Sequence, residues 1–350
     1  MRRTGNLFER LCSFETLHRA FRLAARGKGE RLYCARFGYE RESELLRLQE
    51  ELRSGTYRHG GYRDFTVHDP KTRQVRAAVF RDRVVHHALC GVIEPIFEAR
   101  FISDSFACRK GKGTLAALER CKALARRFAD GYALKLDAAK YFYSVDHEVL
   151  LGILARKIKD RRVLALCREI LASSQDRRFR GYFPGDDLLA LLRPTGIPIG
   201  NLSSQLFSNI YLGELDLFVK HSLRRKAYLR YMDDMLLFAS GKAELWETLA
   251  RIEAFLAERL RLRVHPKKRT VSPVRRGVDW VGYRVFPDRV RLLRRNIFRF
   301  RARNRRLRRL LRRRTIPTRR VRDSLVSFLG YARHAQAGRL MRRLMYLEAF

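Results

Sequence analysis

Two adjacent acids, Asp233 and Asp234, stand inside an otherwise apolar run. Aromatic and apolar residues on both sides of them predict a strand, a tight turn and a second strand, with both carboxylates at the tip. Burying neighbouring carboxylates is costly unless a cation compensates them, and a pair of metal ions suits these two best. A polar hairpin turn without chemistry is the alternative, because aspartate is a common turn residue.

A third acid, Asp137, ends an apolar stretch that predicts a strand over residues 132–137. Small residues and then aromatic residues follow it. The stretch therefore offers a carboxylate at Asp137, a backbone carbonyl at Ala138 and an aromatic plate at Phe142, which are the groups that a nucleotide-bound metal ion and a sugar ring need. The alternative is an aspartate that only caps the next helix.

A predicted hairpin at residues 62–80 carries a basic tip. Its cations include Lys71 and Arg76, and a mobile two-stranded flap with such side chains would suit a triphosphate. Solvation of the tip is the alternative. Arg81 lies at the start of the following predicted helix, which runs through residue 97.

A glycine-containing loop at residues 196–205 precedes a predicted apolar helix at residues 206–218. Glycine at this place lets the backbone come close to a ligand, although a plain loop also fits. We predict further helices at residues 2–55, 115–128, 148–173, 243–260, 290–314 and 318–337, and a short strand pair at residues 279–285. The helix at 290–314 has one apolar seam and a dense arginine face.

The composition predicts a polyanionic partner. The chain of 350 residues has 76 Lys and Arg against 36 Asp and Glu, a formal net charge of +40. Nucleic acid is the first candidate, and an anionic membrane surface is the rival. No run of 18 apolar residues supports a membrane span, so we expect a protein of the cell interior. The six cysteines show no zinc spacing and are expected to be reduced thiols in the core.

Six motifs occur in one order: FRDRVV, LDAAKYF, GIPIGN, YMDD, HPKK and WVGY. In the identity and order of these motifs, the chain resembles the reverse transcriptases over roughly residues 57–286. The resemblance implies an α+β right-hand polymerase with fingers, a palm built on an antiparallel sheet packed by helices, and a small helical thumb. We assign residues 1–56 to an N-terminal helical extension, 57–286 to fingers and palm, and 287–350 to an arginine-rich thumb.

The resemblance also implies roles for individual residues. Three acids match the catalytic metal ligands: Asp137, Asp233 and Asp234. The resemblance implies the Ala138 carbonyl as a further ligand. The implied cofactor is a pair of Mg²⁺ ions, for which Mn²⁺ can substitute. The residues expected to bind the incoming dNTP are Lys71, Arg76, Phe142, Ile199 and Gln205. Those expected to contact nucleic acid are Arg81, Gly200, Lys267, Lys268, Arg294, Arg301 and Arg305.

Within the family the chain is most similar to reverse transcriptases of diversity-generating retroelements. Relatives from group II introns usually have glutamine at Ile199 and Ser-Pro at Ser204–Gln205. The resemblance implies copying of a template-repeat RNA into cDNA with errors at adenines. Its implied partners are structured template RNA, the RNA/cDNA duplex, dNTPs and a small basic accessory protein that forms an oligomeric barrel, with no membrane. The implied location is cytoplasmic, in a bacterium or encoded by a phage.

Two other interpretations remain. One is another bacterial reverse transcriptase, of group II intron, retron or phage-defence type, which copies its own structured RNA. The other is a catalytically silent RNA-binding protein of the same fold, against which the intact acids argue.

Overall fold

The computed structural model describes residues 3–68, 72–173 and 181–342. Its helices are α1 Leu7–Cys12, α2 Phe14–Ala25, α3 Leu32–Tyr39, α4 Arg41–Ser54, α5 Phe80–Glu98, α6 Thr114–Arg127, α7 Tyr141–Ser144, α8 His147–Ala155, α9 Arg161–Ala172, α10 Leu202–Leu217, α11 Lys242–Leu260, α12 Arg294–Arg312 and α13 Thr318–Ala332. Its strands are β1 Tyr62–Val67, β2 Arg73–Ala78, β3 Tyr132–Asp137, β4 Tyr228–Tyr231, β5 Asp234–Ala239, β6 Thr270–Pro273, β7 Val278–Trp280, β8 Tyr283–Val285 and β9 Val290–Leu292.

The central sheet is antiparallel, with the strand order β4-β5-β3-β6. Strands β4 and β5 form the predicted hairpin around the two acids, and their two-residue turn is Met232–Asp233. Met232 has a φ of 57°, in the left-handed region that two-residue hairpin turns require. The register sets Asp137 at the end of β3 opposite Asp234 at the start of β5. The three acids therefore meet at one edge of the sheet.

Two apolar cores lie in the described chain. The larger core joins the N-terminal helices to α5, α8, α9, α10 and α11 and to one face of the central sheet. The smaller core joins the other face of that sheet to α6, to the three-stranded sheet β7-β8-β9 and to the helices α12 and α13. Helices with an antiparallel sheet give the α+β architecture of a right-hand polymerase. The division into three domains stays a prediction, since the N-terminal helices share their core with α5.

Several predicted bounds are wrong. The segment predicted as one helix from residue 290 begins with β9, in which Val290 and Leu292 are buried while Arg291 between them is exposed. That alternation is typical of a strand, and β9 pairs with β8. Helix α10 begins at Leu202, earlier than predicted, and the stretch predicted as a single helix is divided into α8 and α9. The last predicted helix ends at Ala332.

The cysteines are free thiols, and five of the six are buried. Cys108 is exposed, so its expected position in the core is wrong. Within the described part of the chain, no helix is both long enough and apolar enough to cross a lipid bilayer.

Candidate active site

The three predicted acids occupy different depths at the edge of the central sheet. Asp137 is 6% exposed at the end of β3, whereas the Asp234 side chain is 49% exposed. Asp233 lies between them in the hairpin turn and is half-buried. Burial, together with the charges of Asp137 and Asp234, raises the pKa of Asp233 to about 7. Three carboxylates are thus held where their mutual repulsion favours a bound cation.

The oxygen atoms of Asp137 fit a metal ligand. Its Oδ1 is buried and has no hydrogen-bond partner among the described residues. A buried acceptor without a partner is costly, and carboxylate oxygens are the donors that Mg²⁺ and Mn²⁺ prefer. Residues 3–68, 72–173 and 181–342 hold no ready-made group of three His, Cys, Asp or Glu ligands.

Lys268 forms an ion pair with one of the acids: its Nζ contacts Oδ2 of Asp137. The turn that carries Lys268 is tied to β3 by the His265 N–H, which donates to the Asp137 carbonyl at 2.8 Å. Lys135 lies on the other side of the acids, with its Nζ 3.9 Å from Oδ1 of Asp234. Sequence reasoning assigned Lys268 to nucleic acid, which stays a prediction, and missed its contact with Asp137.

Arg230, on β4, contacts the hairpin turn from the protein interior. Sequence reasoning also missed this residue. It is fully buried and makes a two-pronged ion pair with Asp216 of α10, with the shortest N–O distance at 2.7 Å. Its Nη1 donates to the Met232 carbonyl at 3.1 Å, inside the turn that carries Asp233. The Tyr228 hydroxyl also donates to Asp216, at 2.8 Å. A buried and fully bonded charge pair therefore fixes the acids to α10.

The loop at residues 196–201 joins two parts of the site. On one side the Ile197 N–H donates to the Phe142 carbonyl at 2.7 Å, which holds the turn after Asp137. On the other side the Arg76 N–H donates to the Ile199 carbonyl at 2.9 Å. Asn201 completes this side, since its amide accepts from the Ala78 N–H and donates to the Arg76 carbonyl, each at 3.1 Å. The β1–β2 flap is thereby anchored beside the Phe142 turn.

Gly200 is required at this junction. Its φ is 119°, and a Cβ placed on it would lie 2.7 Å from Cγ1 of Val75 on the flap. The Phe142 ring is half-buried next to Tyr141, whose hydroxyl donates to the Ser208 carbonyl at 2.9 Å. Ile199 is half-buried, and Gln205 lines a neighbouring cavity of about 840 Å³ together with Gly200.

The remaining predicted residues that the structure describes are spread over four elements. The Arg76 guanidinium lies 4.9 Å from the Tyr62 ring centroid and 3.3 Å from Asp64 Oδ1. The guanidinium of Arg81 forms an ion pair with the carboxylate of Glu51. Lys71 lies outside the described residues. Lys267 is exposed on the turn before β6, and α12 carries Arg301 half-buried and two exposed cations, Arg294 and Arg305.

Comparison with known proteins places this geometry in a family. Residues 67–285 match the family described as reverse transcriptase (RNA-dependent DNA polymerase). Protein YkfC of Escherichia coli K12 is 26% identical over 289 residues, which cover 71% of this chain and 72% of YkfC. The group II intron-encoded protein LtrA of Lactococcus lactis is 28% identical over 184 residues, which cover 51% of this chain and 28% of LtrA.

Among solved structures, the telomerase of Candida albicans, in complex with a fragment of telomeric RNA, aligns with a TM-score of 0.43 and 13% identity. The alignment covers 68% of this chain and 46% of the telomerase. The family match spans more than half of the 350 residues and includes all three acids, the Phe142 turn and the loop at residues 196–201. The chain therefore belongs to the reverse transcriptases, the RNA-dependent DNA polymerases that work with divalent metal ions.

Proposed function

We propose that this chain copies a template-repeat RNA into adenine-mutagenised cDNA, as the reverse transcriptases of diversity-generating retroelements do. The chemistry is nucleotidyl transfer at Asp137, Asp233 and Asp234, and the observation that carries it is their meeting at one edge of the central sheet. Two Mg²⁺ ions held there would make the primer 3′-hydroxyl more acidic and neutralise the triphosphate. The Ala138 carbonyl is a further ligand in this proposal.

The surrounding residues orient the nucleotide. The Phe142 ring would lie against the sugar, where an aromatic plate excludes a ribose 2′-hydroxyl by its bulk. Arg76, on the flap, would bind the triphosphate, for which it must leave Asp64. Lys71 is proposed for the same role. The flap and the sugar plate share one support, the loop at residues 196–201, so the two contacts are positioned together.

Low fidelity is the part of the proposal that Ile199 supports. The backbone carbonyl of Ile199 receives the Arg76 N–H, so this residue lies between the flap and the Phe142 turn. An isoleucine side chain cannot make the hydrogen bonds that a glutamine makes near an incoming nucleotide. A mispaired nucleotide therefore loses less binding free energy at this position than it would beside a glutamine. Discrimination between correctly paired and mispaired nucleotides falls as a result.

Reverse transcription of intron type is the second candidate, and the likeness to LtrA, a group II intron-encoded protein by its name, favours it. In that case the enzyme copies its own structured RNA accurately. A basic accessory protein belongs only to the first candidate. The two candidates differ in their error spectrum.

Primer extension on an RNA template with Mg²⁺ and dNTPs, followed by sequencing of the cDNA, separates them. We expect errors concentrated at template adenines, and fewer of them in Ile199→Gln. Asp233→Ala is the inactive control. Equal error rates in the wild type and Ile199→Gln would refute the role of Ile199, and accurate cDNA from the wild type would leave the intron type.

A further inference from the structure

The turn that carries Lys268 is fixed to the end of the strand that carries Asp137. The His265 N–H donates to the Asp137 carbonyl and the Ala139 N–H donates to the Arg263 carbonyl, each at 2.8 Å. The Lys268 N–H closes the turn by donating to the His265 carbonyl at 3.0 Å. Backbone hydrogen bonds therefore set the position of the lysine relative to the acid.

The two carboxylate oxygens of Asp137 have different surroundings. Oδ1 is buried and has no hydrogen-bond partner among the described residues, whereas Oδ2 contacts the Nζ of Lys268. The side chain of Asp137 is 8% exposed and that of Lys268 is 42% exposed. Lys268 therefore covers the carboxylate on the side that faces solvent, from which an ion in solution would arrive.

Lys268 differs from Lys135, the other lysine near the acids. The Nζ of Lys135 donates to the Asp279 carbonyl at 2.9 Å and lies 3.9 Å from Oδ1 of Asp234. Lys268 has Asp137 as its only ion-pair partner among residues 3–68, 72–173 and 181–342. Of these two lysines, Lys268 is the one whose charge is committed to the acids alone.

An ammonium group and a divalent metal ion compete for the same carboxylate. In the metal-free protein, the positive charge of Lys268 compensates the negative charge of Asp137, which is costly to bury without a partner. A divalent ion bound to Asp137 would supply that compensation itself and would repel an ammonium a few ångströms away. Each cation therefore lowers the affinity of the carboxylate for the other.

We propose that Lys268 is an internal counterion that occupies Asp137 in the metal-free enzyme and yields Oδ2 when a divalent metal ion binds, a role that rests on the proposed function of Asp137 as a metal ligand. The ion pair keeps the cluster of three acids compatible with the fold in the absence of metal. It also lowers the affinity of the cluster for free metal ions. Removal of Lys268 should therefore strengthen metal binding and weaken the metal-free fold.

Binding of Mn²⁺ to the full metal-free chain at about pH 8, measured by electron paramagnetic resonance without nucleic acid or nucleotide, tests the competition. We expect Lys268→Gln to bind Mn²⁺ about three- to tenfold more tightly than the wild type, a modest factor because the lysine is partly exposed. Lys267→Gln removes an equal charge from an exposed position in the same turn. Because solvent screens that charge, this control should stay within about twofold of the wild-type affinity. Lys268→Arg keeps the charge and should bind as the wild type does.

Thermal melts separate competition from a purely structural contact. In EDTA, Lys268→Gln should lower the melting temperature of the wild type but not that of Asp137→Asn, which has no charge to pair. With saturating Mn²⁺ the loss caused by Lys268→Gln should disappear, because the metal-bound protein no longer contains the ion pair. A loss of equal size in EDTA and in Mn²⁺ would overturn the proposal.

A wild-type affinity for Mn²⁺ in Lys268→Gln would also overturn the proposal, and weaker RNA binding in the same variant would then assign Lys268 to a phosphate of nucleic acid. Binding of Mn²⁺ to Asp137→Asn distinguishes this failure from a failure of the metal site. If Asp137→Asn binds Mn²⁺ as tightly as the wild type, the proposed metal site at Asp137 is wrong. If Asp137→Asn loses Mn²⁺ binding while Lys268→Gln binds as the wild type does, only the counterion role is wrong.

Discussion

Asp233 carries an energetic cost that the cluster of three acids imposes on the fold. Burial and two neighbouring carboxylates disfavour its ionised form and raise its pKa to about 7, above the ordinary value of 3.8. Between these two values the folded protein binds a proton that the unfolded chain has lost. The stability that protonation gives is therefore complete below pH 4 and is lost as the pH rises through about 7. A bound metal ion would remove this cost.

The loss of stability with rising pH gives a prediction for the metal-free protein. Asp233→Asn should melt at a higher temperature than the wild type at pH 8, and the two should converge at about pH 3, below both pKa values. The gain at pH 8 should be on the order of 1 kcal/mol or more. Thermal melts in EDTA at both pH values measure it. A variant that is less stable at pH 8 would show that Asp233 contributes favourable contacts as a carboxylate.

At the scale of elements, the β1–β2 flap depends on a buried polar network at its base. Asp82, on α5, is 0% exposed and accepts from the Tyr57 hydroxyl and the Gly60 N–H, each at 2.8 Å. Next to it, Nε2 of His59 lies 3.1 Å from Nε2 of His86, whose Nδ1 lies 3.2 Å from the Ser203 hydroxyl of α10. Burial lowers the pKa of His86 to about 3, so this ring is neutral at working pH.

Asp82→Asn should loosen the flap. An asparagine in this place can turn only one oxygen toward the two donors, so the Gly60 N–H or the Tyr57 hydroxyl loses its acceptor at a cost of about 1–3 kcal/mol. We expect a larger rise in KM for dNTP than fall in kcat, because the flap carries Arg76. Steady-state kinetics of this variant and of Asp130→Asn, an exposed control, test it. If the two variants have equal values of KM for dNTP, the network around Asp82 does not contribute to nucleotide binding.

How far the sequence predicted these elements depends on the range of the interactions. The hairpin at Asp233 and the strand that ends on Asp137 follow from local alternation and turn residues, and both are confirmed. Strand β9 was not predicted, because an alternation of buried and exposed residues over only three positions is too short to recognise next to an arginine-rich helix. Contacts of Lys268 with Asp137 and of Arg230 with Asp216 join distant segments, and no local pattern marks them.

At the scale of the whole molecule, a formal charge of +40 favours the binding of a polyanion such as RNA. Helix α12 presents part of this charge on a fixed surface, because Phe300 stacks on Phe328 of α13 with ring centroids 3.8 Å apart. Arginines on such a surface bind phosphates by displacing counterions, which makes affinity fall with salt and depend little on sequence.

Arg301→Gln/Arg305→Gln should therefore weaken the binding of unrelated RNAs by a similar factor. The slope of log Kd against log salt should fall by about 1.5–2, near one counterion for each lost contact. Fluorescence anisotropy at several salt concentrations measures the slope. Arg22→Gln/Arg251→Gln removes equal charge from exposed positions on α2 and α11 and serves as the control. Equal slopes for the two double variants would mean that net charge, and not α12, sets the affinity.

Magnesium-dependent extension of a DNA primer on an RNA template, by the wild type beside Asp137→Asn, tests the central claim most directly. RNA affinity is measured for both proteins in the same buffer. The three acids at the edge of the sheet predict full-length cDNA from the wild type, none above background from Asp137→Asn, and equal RNA binding by the two. Equal cDNA synthesis by both proteins, or RNA binding without synthesis by the wild type, would contradict it.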